Sequence, residues 1–222
     1  MILDKRADLG HGDVKKLLFS LSVPTITSQI VNMLYNLVDR VFIGHMQPAE
    51  TVGKLALTGV GVCLPIIMVI SAFASLMAIG GAPRASIAEG AGESEKSERI
   101  MGNCLTMLVI TALVLTVLFE SFAEPLLLMF GASENTIGYA LDYMRIYALG
   151  TIFVQLTLGM NAYITAQGFA TVSMKTVLIG ALLNTALDPL FIFVLGLGVR
   201  GAALATVISQ AVSAMWVMTF LT

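Results

Sequence analysis

Charge is what this sequence has least of. Asp, Glu, Lys and Arg make up 12% of its 222 residues, against about a quarter in soluble globular chains. The little charge present is balanced, with a net of −2 and a pI near 5.6, so nothing points to a nucleic-acid partner. Cysteine and histidine are equally scarce, at two each. Cys63 and Cys104 lie inside apolar runs and read as small buried hydrophobes. Without a CxxC or a Cys/His cluster, neither a disulfide framework nor a zinc site is expected. His11 falls in a polar stretch and His45 at a helix end, so both read as solvated or interfacial groups. The "GAG" at 90–92 lacks the strand and the Lys-Ser/Thr of a phosphate loop. No catalytic constellation emerges, and the protein is not expected to be an enzyme. No cleavable leader is expected. The first sixteen residues are polar, and the apolar run behind them is too long for a signal-peptide core.

What is present is hydrophobicity. Apolar residues make up 57% of the chain, and the mean hydropathy is +0.90. A helix needs about 20 apolar residues to cross the hydrocarbon core. Runs of that size recur at about 17–44, 55–82, 100–122, 140–166, 174–197 and 200–222. They are continuous rather than alternating, which excludes barrel strands. The expected fold is an all-α membrane protein with six transmembrane helices (17–222) behind a cytoplasmic N-terminus (1–16). A charged loop, "PRASIAEGAGESEKSER" (83–99), is expected between the second and third spans. Lys5, Arg6, Lys15, Lys16, Arg84, Lys96, Arg99 and Lys175 fall on one side, against Arg40, Lys54 and Arg200 on the other. The positive-inside rule therefore places the N-terminus in the cytoplasm, with the protein multi-pass in the cell membrane. Asp142 and Arg145, three apart, are expected to pair.

The polar residues within these spans are not scattered. Thr25, Ser28, Gln29, Asn32, Tyr35, Asn36 and Asp39 follow helical spacing along one face of the first span. In lipid such a face must turn to the bundle interior or to a water-filled cavity. Gln29, Asn32, Tyr35 and Asn36 are the candidate lining of a substrate cleft. The fifth span carries Asn184 and Asp188 four apart, and the sixth carries Thr206, Ser209, Gln210 and Ser213. Counted inward from the span ends, Asp39, Asn184, Asp188 and Thr206 reach a common depth. Pro24 and Pro189 are expected helix kinks, and Pro189 also removes a backbone donor beside Asp188. Together these groups form a cluster of hard oxygens suited to Na⁺ or to a proton. An ionised Asp mid-helix costs about 2.5 to 3.5 kcal/mol. Two of them imply reversible neutralisation by a cation.

The motifs "VPTITSQIVNMLYNLVDRVFIGHM" (23–46), "LLNTALDPLFIF" (182–193), "VRGAALATVISQ" (199–210) and the stretch "GGAPRASIAEGAGESEKSER" (80–99) together resemble the multidrug and toxic compound extrusion (MATE) transporters. The resemblance runs along nearly the whole chain. It implies a twelve-helix fold in two lobes, of which this chain would supply the N-terminal six-helix lobe and lack the C-terminal one. It implies a cation site at Asp39, Asn184, Asp188 and Thr206, and Na⁺- or H⁺-coupled antiport of organic cations or drugs, with no further cofactor. The expected partners are the drug substrate, membrane lipid, and the missing lobe or a second half-transporter. A lipid-linked sugar flippase of the same superfamily is the alternative, but the spans lack the Lys and Arg that phosphates would need. An intramembrane aspartyl protease is disfavoured because "GLGV" (196–199) has no Asp of a GxGD motif.

Overall fold

In the computed structural model, residues 13–221 are described. Lys5, Arg6, His11 and most of the expected cytoplasmic stretch lie outside that range. Eight α-helices follow in order: α1 (Val14–Gly44), α2 (Lys54–Val62), α3 (Leu64–Gly90), α4 (Ser94–Met129), α5 (Ile137–Leu149), α6 (Thr151–Ala166), α7 (Ala170–Pro189) and α8 (Val199–Leu221). Two π-helical turns, Ala49–Gly53 and Leu190–Val194, join onto α2 and α7. No strand occurs among the described residues. Five segments are long and apolar enough to span a membrane, and the pair α5–α6, bent by 57°, makes a sixth. Asp13 caps α1 by accepting a hydrogen bond from the Lys15 amide at 3.0 Å.

Helices in lipid gain little from hydrophobic attraction to one another, so close packing of small residues has to hold them together. The α3 helix buries Ala74, Ala78, Ala82, Ala85 and Ala88 along one seam. That spacing of three and four lets α4 and α6 pack closely against it. The bend between α5 and α6 falls at Gly150, where a β-carbon would stand 2.4 Å from the Val207 side chain of α8. A side chain there would push the two helices apart. α6 and α8 pack together near the middle of the bundle, whereas α1 rests mainly on α7.

The expected loop at 83–99 is almost entirely helical. α3 continues to Gly90, α4 begins at Ser94, and only residues 91–93 separate them. The charged residues there are helix formers, and they pair across single turns: Lys96 with Glu93 at 2.7 Å and Arg99 with Glu95 at 3.4 Å. α4 is correspondingly longer than the third apolar run. It is interrupted at Phe122 (φ −119°, ψ 19°), three residues before Pro125. The Pro125 ring crowds the turn behind it, and here the helix yields. The expected pair Asp142–Arg145 does not form. Asp142 instead accepts from Arg200 at 2.8 Å, which ties α5 to α8.

Gly81 permits another close approach. A β-carbon there would lie 1.9 Å from the Tyr163 hydroxyl and 2.6 Å from Cys104 Sγ. Gly81→Ala is expected to cost about 1 to 3 kcal/mol through overpacking. The Tyr163 hydroxyl is buried without a hydrogen-bond partner. Tyr163→Phe alone should therefore be close to neutral, and should recover part of the Gly81→Ala loss. Melting curves of the three variants in detergent test this; no recovery in the double variant would place the strain elsewhere.

Candidate functional site

One face of the bundle is hollowed into a cavity of about 440 Å³ lined by α1, α3, α5, α6, α7 and α8, with Val60 of α2. The α1 polar stripe forms one wall: Gln29, Asn32, Tyr35 and Asn36 all line it, as does Asp39 at one end. α1 continues as a helix through Pro24, whose carbonyl accepts from Ser28 Oγ at 2.8 Å. At Pro189 regular α-helix gives way to the π-helical turn Leu190–Val194. Pro189 has no amide hydrogen to continue the ladder, and the widened turn absorbs the break.

Three helices converge at the Asp39 end. Asp39 is 8% exposed, Asn184 1% and Asp188 0%. Asn184 and Asp188 are one helical turn apart on α7, and the Asn184 Nδ2 donates to Asp188 Oδ1 at 3.3 Å. The same nitrogen reaches Thr206 Oγ1 on α8 at 3.4 Å. Asp39 comes from α1, close enough for its charge to act on Asp188. The four residues singled out in the sequence therefore meet at one place. They are layered: Asp39 and Thr206 face the cavity, whereas Asn184 and Asp188 stand behind them, outside its lining.

The cluster has more acceptors than donors. Asp39 Oδ1, Asn184 Oδ1 and Asp188 Oδ2 are all buried without a hydrogen-bond partner. Each orphaned polar atom costs about 1 to 3 kcal/mol. A cation or a proton would relieve three such oxygens together, and the Thr206 hydroxyl stands beside them. No group of three or more His, Cys, Asp or Glu side chains gathers among the described residues. The side chains of Asp39, Asn184, Asp188 and Thr206 offer oxygen acceptors, a hard donor set that suits an alkali cation better than a soft transition metal.

Several lining residues escaped the sequence reading. Tyr143 and Tyr147 of α5 stack with centroids 5.9 Å apart, and Tyr143 is beside both Thr206 and Asp39. Asn161 of α6 donates to the Ser173 carbonyl at 3.2 Å, while its Oδ1 is buried without a partner. Outside the lining, Gln155 of α6 is fully buried, with its amide on the Ile70 carbonyl at 2.9 Å. The signal was there: a carboxamide inside an apolar span is as conspicuous as one in α1.

The class these features define is a multi-pass, all-helical membrane protein with a polar cavity on one flank of a six-span bundle. The chain belongs to the MatE family, whose model matches residues 24–190. It is 29% identical over 206 residues to the multidrug export protein MepA of Staphylococcus haemolyticus, covering 93% of this chain and 44% of that protein. Against MepA of Staphylococcus aureus it is 26% identical over 203 residues, covering 91% and 44%. A MATE crystal structure in complex with MaD3S superposes with a TM-score of 0.86 at 28% identity, covering 95% of this chain and 46% of that one. An outward-facing multidrug resistance MATE family transporter of the MOP superfamily also gives 0.86 at 28%, covering 95% and 45%. The chain spans about half the length of the relatives it matches, and its six spans form one lobe of a MATE-type transporter.

Proposed function

We propose that this chain is the N-terminal half of a cation-coupled antiporter that exports organic cations, with Na⁺ or H⁺ as the coupling ion bound at Asp39, Asn184, Asp188 and Thr206. The observation that carries this reading is the set of three buried, unpartnered oxygens on those side chains, set against the end of a polar cavity in a membrane bundle. The similarity to multidrug export proteins supports efflux as the direction of work.

The small cation is taken up at Asp39 and Thr206, which face the cavity, and passes to Asn184 and Asp188 behind. Its charge offsets the repulsion between the two carboxylates. An organic cation in the cavity feels the same negative field, with Gln29, Asn32, Tyr35 and Asn36 as polar contacts and the Tyr143–Tyr147 stack as an aromatic wall. The two ligands oppose each other, and linkage makes that opposition equal in both directions. Alternating access comes from rocking this lobe against a second half. The protein works in the cell membrane with its N-terminus cytoplasmic, as the distribution of Lys and Arg supports. Among the described residues, Asp39 and Arg40 are the only carboxylate and the only Lys or Arg lining the cavity, which is poor ground for the phosphates of a lipid-linked sugar.

The test is flux of a fluorescent organic cation in proteoliposomes holding the whole transporter, with Na⁺ and proton gradients imposed separately. Efflux should follow at least one gradient and collapse when that gradient is discharged. Efflux indifferent to both would end the reading.

A further inference from the structure

Away from the polar cavity, α3 and α4 leave a second hollow of about 750 Å³ at the end of the bundle where residues 91–93 join them. Its floor is Gly80 and Gly81, its sides are Leu76, Met77 and Ile100, and its mouth carries Arg84, Lys96 and Glu93. Leu76 and Ile87 on its rim are 61% and 73% exposed, so the hollow opens outward to whatever surrounds the bundle.

We propose that this groove binds an anionic phospholipid, one acyl chain lying over the Gly80–Gly81 floor and the phosphate held by Arg84 and Lys96. Three features point to this occupant. The groove is apolar along its length and basic only at its mouth, which is the charge order of a lipid read from tail to headgroup. Glu93 is paired with Lys96 at 2.7 Å, which leaves Arg84 uncompensated and the mouth at a net charge of +1, from Arg84 and Lys96 against Glu93. Gly80 then supplies the depth, whereas the space beside Gly81 is filled by Tyr163 and Cys104. A β-carbon on Gly80 would meet nothing within 4 Å, so the space above it belongs to no neighbouring side chain.

Gly80 also makes the test clean, because a larger residue there fills the groove without displacing the core. The purified transporter is delipidated, and retention of phosphatidylglycerol and phosphatidylcholine is compared by native mass spectrometry. The wild type should retain phosphatidylglycerol in preference. Arg84→Gln should weaken that lipid about fivefold, the worth of one basic group at a lipid surface, and bring the two lipids level. Gly80→Leu should lose both while melting at or above the wild-type temperature. Equal retention of the two lipids by the wild type, or wild-type retention by Gly80→Leu, overturns the proposal. Displacement of the lipid by millimolar inorganic phosphate also overturns it, assigning the mouth to a free anion. A lowered melting temperature in Gly80→Leu would give the groove to a protein segment, such as the second half of the transporter, and equally end the lipid assignment.

Discussion

Asp188→Asn is expected to weaken binding of the coupling cation by about 10- to 100-fold and to leave the bundle folded. The substitution keeps shape. An asparagine still offers an oxygen to Asn184 Nδ2, which now donates to Asp188 Oδ1 at 3.3 Å. What disappears is the negative charge, and a charged hydrogen-bonding partner is worth about 1.5 to 3 kcal/mol in a buried setting. Stability should hold or rise, because Asp39 no longer faces a second carboxylate. Asp39→Asn should act in the same direction. The double variant should bind no more weakly than the sum of its parts, since both side chains serve one ion. Calorimetric titration with Na⁺, and proton uptake on acidification, read the affinity, and detergent melts read the fold. Wild-type affinity in both single variants would leave the orphaned oxygens without a purpose and sink the proposed coupling site.

The second large effect is expected at Gly53, in the π-helical turn before α2. A β-carbon there would stand 2.3 Å from the Gly44 carbonyl oxygen and 3.0 Å from that of Met46. Both obstacles are backbone, so no rotamer change makes room. Gly53→Ala should cost about 3 kcal/mol, a fall of roughly 6 to 12 °C in melting temperature. Gly102→Ala is the control: its β-carbon meets nothing within 4 Å, and alanine in an open helical position gains about 0.5 to 1 kcal/mol over glycine. Because Gly44 ends the helix that carries Asp39, the Gly53 variant should also lose cation affinity. A Gly53→Ala protein as stable as Gly102→Ala would refute this account of the α1–α2 junction.

The spans could be read from the sequence because the bilayer imposes one length and one polarity on every crossing. Asp39, Asn184, Asp188 and Thr206 could be read for the opposite reason, since lipid makes intramembrane polar groups stand out. The breaks were harder to see. Gly150 lies within an apolar stretch, and hydropathy runs on through it, so nothing local announces the 57° turn between α5 and α6. It depends on Val207, more than fifty residues away. The helical ends of α3 and α4 were hidden by charge: residues that avoid lipid are not thereby loops, and at 83–99 they extend the helices beyond the apolar runs. Tyr143 has no such signal, since tyrosine near a span end is common at the membrane interface; the packing of α5 on α8 turns it inward.

Asn184 and Asp188 ride on the same helix, one turn apart, and helical pitch fixes their separation whatever the rest of the molecule does. Asp39 and Thr206 are carried by other helices. The cluster is therefore a vice with one rigid jaw, and α1, supported chiefly by α7 alone, is the jaw with room to travel. Under the proposed coupling, a guest that drew Asp39 inward would tug the whole polar stripe with it, so one displacement would set both the grip on a single small ion and the shape offered to a much larger passenger.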